Sequence, residues 1–133
     1  MNCLLDTHAL IWAITEPDKL YIRVTQLLKD TSNKIFVSSI SFWEISLKYG
    51  PGKLELSGFS PEDLPTGCEQ LGFTVKAPTQ QDCSTYHLLK ASYHKDPFDR
   101  MFIRQAINND YILMSIDSNV NKYQSEGLKI FAD

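Results

Sequence analysis

DPFDRMFIRQAINNDYILMSID, residues 96–117, decides how the chain is read, because it joins a helix, a strand and well-placed acids in one stretch. Phe98, Met101, Phe102, Ile103, Ala106 and Ile107 recur at helical spacing as one wide apolar stripe, which predicts a helix over 97–108. Asp96 supplies an N-cap and Pro97 suits the first helical position. Residues 111–116 are then a short unbroken apolar run, the pattern of a parallel strand covered on both faces. That run ends directly on Asp117.

The same units recur outward from this stretch. Residues 2–5 form an apolar run that ends on Asp6, and 35–38 form a third run. Shorter runs at 73–75 and 128–131 complete the strand candidates. Helices are predicted between them over 9–14, 21–29, 40–48, 61–71 and 80–91. Ser60-Pro61-Glu62-Asp63 repeats the cap-then-proline opening of the 97–108 helix. Strands alternating with helices imply an α/β fold with a mainly parallel central sheet, in which ligands bind beyond the carboxyl ends of the strands.

Composition bounds the rest. A length of 133 residues suits one domain over 1–133, and 43% hydrophobic with 22% charged residues is an ordinary globular balance. No apolar run approaches the roughly 20 residues that span a bilayer. MNCLLDTHAL has no basic n-region and does not read as a secretory signal. Cys3, Cys68 and Cys83 form neither a CxxC pair nor a Cys/His metal pattern, which suits a reducing cytoplasm. Cys3, in an apolar run, reads as a small core residue. A net charge of −3 argues against gripping nucleic acid by overall positive potential.

Four acids carry the functional reading. Asp6 and Asp117 sit at strand ends, where the alternative is that each caps the following helix. Glu44 lies on the helical face of Ile40 and Leu47, which points it inward, where a buried carboxylate needs a cation, a hydrogen-bond network or a proton. The alternative places it solvated at the stripe's edge. Asp99 shares a face with Phe102, Ile103 and Ala106, although a first-turn acid also stabilises the helix dipole. Carboxylates gathered in one pocket repel unless a divalent cation offsets them. An all-oxygen donor set suits Mg²⁺ or Mn²⁺ over Zn²⁺, and such sites commonly perform phosphoryl chemistry.

Four stretches, LLDTHALIW at 4–12, VSSISFWEISLKYGPGKLEL at 37–56, HKDPFDRMFIRQA at 94–106 and ILMSID at 112–117, resemble the PIN-domain ribonucleases, and among them the VapC-like toxins of toxin–antitoxin pairs. The resemblance covers almost the whole chain in the family's order and spacing. It implies a three-layer α/β/α sandwich around about five strands. It maps the family's four acids onto Asp6, Glu44, Asp99 and Asp117, as catalytic residues that hold Mg²⁺ or Mn²⁺. Asp96 then reads as a supporting acid or helix cap, and Ser115 stands where many members place Thr. The implied activity is endoribonuclease, leaving a 3′-hydroxyl and a 5′-phosphate. The implied partners are RNA, a second copy in a homodimer, and an antitoxin encoded by a neighbouring gene.

Thr7 could hydrogen-bond a ligand carboxylate or cap the next helix. His94 would order the loop before Asp96, His87 reads as structural, and nothing marks His8 as a ligand. Lys48, Lys53, Lys95, Arg100 and Arg104 border the acidic motifs and are candidates for RNA contact, each with ordinary surface solvation as the alternative. Trp12, Phe42, Trp43 and Phe102 fall at helical spacings and read as core or dimer contacts. No GxSxG elbow or glycine-rich phosphate loop is present. Two rival functions remain: a Mg²⁺-dependent phosphotransfer or phosphatase domain, and a non-catalytic RNA-binding module.

Overall fold

The computed structural model describes residues 1–90, 93 and 96–131. His94, Lys95 and the end of the 80–91 helix fall outside the described residues. Five parallel strands, β1 (Asn2–Leu5), β2 (Lys34–Ser38), β3 (Thr74–Lys76), β4 (Ile112–Met114) and β5 (Lys129–Ile130), form one sheet in the order β3-β2-β1-β4-β5. Helices α1 (Thr7–Thr15), α2 (Ile22–Lys29), α3 (Ser39–Tyr49), α4 (Leu64–Gln70), α5 (Gln80–Ser84) and α6 (Pro97–Asn109) lie between the strands in sequence. The α/β expectation is met, with every strand pair parallel.

Alternation along the strands builds two cores, one on each face of the sheet. Cys3, Leu5, Ile35, Val37 and Met114 face a cluster completed by α1, α2, α3 and α4. Leu4, Phe36 and Leu113 face the other way, against Phe98, Phe102, Ile103 and Ala106 of α6. The result is the three-layer sandwich. Gly67 lets α4 lie against α1, since a Cβ there would fall 2.9 Å from Cγ2 of Ile14.

The expected boundaries shift in three places for physical reasons. The 73–75 run becomes β3 one residue later: Phe73 is buried in the core, whereas all three residues of β3 are exposed. Its apolar signal came from a loop residue. The 80–91 helix stops at Ser84, where the Thr85 hydroxyl donates to the Gln81 carbonyl at 2.6 Å. A short 3₁₀ turn over Tyr86–Leu88 follows, so His87 is exposed there rather than mid-helix. The 61–71 helix opens as a 3₁₀ turn over Pro61–Asp63 before α4 begins.

The topology sets where a site can form. From β1 the chain winds outward through β2 and β3, then crosses back to place β4 on the other side of β1. The β1–β4 edge is therefore the switch point, where the connections diverge and leave a crevice. Asp6 and Asp117 leave the sheet on either side of it.

Candidate active site

Asp6 follows β1 directly and caps α1, accepting from the Ala9 amide at 2.8 Å. The Ser115 hydroxyl and Ile116 backbone also hydrogen-bond its carboxylate. It is buried, and that burial raises its pKa above the usual aspartate value, against the opposing pull of these bonds and of His8. Across the crevice, Asp117 caps the 3₁₀ helix that follows, accepting from the Asn119 amide at 2.9 Å. Its own amide donates to the Ser115 hydroxyl at 3.1 Å, so Ser115 links the two strand-end acids. The two readings of Asp6 and Asp117 prove compatible: each caps a helix and lines the same pocket.

Glu44 is 4% exposed. The face that buries it carries Ser41 and Ile45, while Leu47 stands 54% exposed, so the inward direction was read correctly but one neighbour was not. The buried carboxylate is partnered rather than bare. Thr7 Oγ1 donates to Glu44 Oε1 at 2.5 Å, and Lys48, one turn on, forms an ion pair with Oε2. Thr7 thus supports a carboxylate and does not cap α1. Asp99 lies in the first turn of α6, behind the Asp96 cap, which accepts from the amides of Phe98 at 2.8 Å and Asp99 at 3.3 Å.

Asp6, Glu44, Asp99 and Asp117 line a single cavity of about 260 Å³, together with Thr7, His8, Lys48, Asp96 and Ile116. The acids come from two strand ends and two helices. Their donor set is all oxygen, as Mg²⁺ or Mn²⁺ requires. Among the described residues, no three His, Cys, Asp or Glu side chains converge closely enough to ligate one ion. The pocket gathers the carboxylates around a shared space without closing them on a point, and Lys48 supplies positive charge within it. Glu44, Asp96 and Asp99 hold the Lys48 ammonium above its usual pKa, the Glu44 hydrogen bond first among them.

The other basic candidates lie elsewhere. Arg100 donates to the Leu89 carbonyl at 2.9 Å and stacks over Tyr86, and Arg104 is bonded to Thr85 and Asn108. Neither lines the acidic cavity, nor does Lys53 in the exposed turn after α3. Of these basic candidates, Lys48 alone among the described residues lines the acidic cavity. Glu44 and Lys48 stand four apart on a helix, a spacing that could have announced the ion pair. The aromatics divide too. Phe102 lies in the core on the α6 face and Phe42 packs against the core on the opposite face, but Trp43 is 62% exposed, edge-on to Phe98.

The family model for the PIN domain matches residues 3–125, nearly the whole chain. The chain belongs to the PIN domain family. Solved structures share the fold at low identity. VapBC2 from Rickettsia felis bound to a promoter DNA fragment superposes with TM-score 0.66 at 20% identity, covering 98% of each chain. VapBC from Salmonella typhimurium, bound to DNA, gives 0.65 at 21% identity, covering 98% of this chain and 97% of that one. VapBC-1 from nontypeable Haemophilus influenzae gives 0.66 at 20%, again over 98% and 97%. No curated protein matches the sequence. In this PIN domain no helix of the described residues is long and apolar enough to cross a membrane.

Proposed function

We propose that this PIN domain is a Mg²⁺- or Mn²⁺-dependent endoribonuclease and the toxin of a toxin–antitoxin pair, working in the cytoplasm. The observation that carries the reading is the convergence of Asp6, Glu44, Asp99 and Asp117 on one pocket at the sheet's switch point. The donor chemistry fits a hard divalent cation held by these four carboxylates. Such an ion would activate a water and offset charge on the scissile phosphate.

The chain's own residues do the positioning. Ser115 orients Asp6, Thr7 orients Glu44, and Asp96 sets the first turn of α6 that presents Asp99. Lys48 offsets the acids' mutual repulsion and stands where it can meet a phosphate oxygen. The structural neighbours solved as VapBC complexes support an antitoxin as partner. By family resemblance, we also propose that it is encoded nearby and that the working form is a homodimer.

The test is cleavage of a fluorogenic single-stranded RNA by the purified protein. Activity should vanish in EDTA and return with Mg²⁺ or Mn²⁺, and full activity in excess EDTA would sink the reading. Lys48 within the acidic pocket favours a second reading, a phosphotransferase with an aspartate acceptor, because that chemistry also pairs a strand-end Asp with a Lys. A phosphoaspartate trapped on Asp6, without RNA cleavage, would select it.

A further inference from the structure

A second cleft adjoins the acidic pocket and has a different character. It encloses about 290 Å³ and shares the lining residues Ile116 and Asp117 with the acidic cavity, so the two are neighbours. Its walls are aromatic: Trp12 from α1, Tyr21 at the start of α2 and Phe131 after β5. Trp12 is half-buried and Tyr21 is 64% exposed, so both offer ring surface to a ligand. Trp12 also packs against the core cluster, in line with the core role expected of it, and keeps part of its ring accessible. Ser118 and Asn121, both exposed, add polar groups to the lining.

Two cations stand over these rings. The Lys19 ammonium lies 5.9 Å from the Trp12 ring centre and the Arg23 guanidinium 5.8 Å from that of Phe131. The Lys19 ammonium is ion-paired with Glu16 at 3.0 Å and neither cation lines the acidic pocket, so Arg23 carries the unneutralised positive charge beside these rings. Aromatic walls, cations and a few hydrogen-bonding side chains are the equipment with which proteins hold unpaired bases. The volume sits at the lower edge of the roughly 300–1,000 Å³ typical of small-molecule sites, room for one ring system and not for a folded segment.

We propose that this cleft is a nucleobase subsite: it takes one unstacked base of single-stranded RNA, next to the phosphate held over the acids, and sets the base preference at the cut. The base stacks among Trp12, Tyr21 and Phe131, while Asn121 and Ser118 meet its hydrogen-bonding edge. The shared Ile116–Asp117 lining puts a base in this cleft beside a phosphate in the acidic pocket. The subsite rests on the ribonuclease reading for its biological role, but its ligand binding can be measured alone.

The chain has two tryptophans, so Trp43→Phe leaves Trp12 as the sole indole reporter. This variant would be titrated with A, C, G and U pentaribonucleotides in EDTA, which separates binding from cleavage. Saturable quenching of Trp12 that differs among the four bases supports the subsite. Tyr21→Ala, at an exposed position with little to lose in folding, should weaken binding roughly 5- to 150-fold. Asn121→Ala should reorder the base preference, and with Mg²⁺ present should shift the mapped cleavage positions. Quenching without any RNA cleavage would keep the subsite and remove the ribonuclease reading. Cleavage with no quenching, and with base preference unmoved by either variant, would overturn the subsite and leave the ribonuclease standing. Loss of binding to another protein in Tyr21→Ala, with RNA binding unchanged, would assign the cleft to a protein partner and overturn it as well.

Discussion

At the scale of single residues, the pocket stores a conflict between charge and burial. Burial raises the Asp6 carboxyl pKa, so folding favours its protonated form. The folded chain then holds this proton more tightly than the unfolded one. The contribution is present below the ordinary aspartate pKa and lost as pH rises through the raised value, so at neutral pH the ionised Asp6 costs stability. Asp6→Asn keeps the helix cap, since Asn caps as well as Asp. It should raise the metal-free melting temperature at pH 7 and flatten its pH dependence above the ordinary aspartate pKa, while abolishing cleavage. A melting temperature that falls on this substitution would show that the hydrogen bonds of Ser115 and Ile116 outweigh burial. Lys48 tests the same conflict from the other side. Lys48→Met leaves the Glu44 carboxylate buried with only Thr7, which should cost about 1–3 kcal/mol in urea melts without metal. Adding Glu44→Gln to it should recover most of that loss, because the carboxylate left unpaired by the loss of Lys48 is then replaced by a neutral amide. If Lys48→Met is neutral, the ion pair does not stabilise the pocket.

At the scale of an element, α6 is the piece whose opening turn matters most to the site. Its Asp96 side chain holds two backbone amides, so Asp96→Ala should destabilise by about 0.5–2 kcal/mol whereas Asp96→Asn should be nearly silent. Asp99, one turn inside, contributes a carboxylate to the pocket and not a cap. Asp99→Asn should therefore lose nearly all cleavage with stability almost unchanged, and Asp96→Asn should retain a substantial fraction. Paired urea melts and cleavage assays read both quantities. Equal and total loss of cleavage in the two Asn variants would place Asp96 among the residues that hold the metal. The 97–108 reading of this helix survives almost unaltered as Pro97–Asn109, because a stripe of large apolar residues with a capped start leaves few alternative phases.

At the scale of the molecule, the two cores on either face of the sheet protect groups that the sequence leaves looking alike. The three cysteines behave differently for this reason. Cys3 and Cys68 are fully buried, the Cys68 thiol pushed up to about 11 by that burial, while Cys83 is exposed. A thiol reagent at pH 8 should titrate one thiol per native chain and all three after denaturation. Fast reaction of a second thiol in the native protein would mean that one of the two cores opens readily.

The sequence by itself determined the alternation of strands and helices, the parallel sheet and the four acids that come to line one pocket. Those follow from local signals: apolar period, cap residues, and an Asp at the end of a buried run. Asp6 and Asp117 were legible because a strand's last residue is also its ligand-facing edge in a parallel sheet. The tertiary structure alone decided what each side chain meets. Arg100 and Arg104 border the acidic motif in sequence, yet helical rotation turns them to Leu89 and Thr85. Lys48 reads as one surface lysine among several, yet lies against a buried glutamate that the packing of α3 on the start of α1 encloses. The cleft beside the pocket joins residues from α1, α2 and the segments after β4 and β5, more than a hundred positions apart. Periodicity reports which face of an element is apolar, not which faces will be neighbours, and a pocket is a property of neighbours.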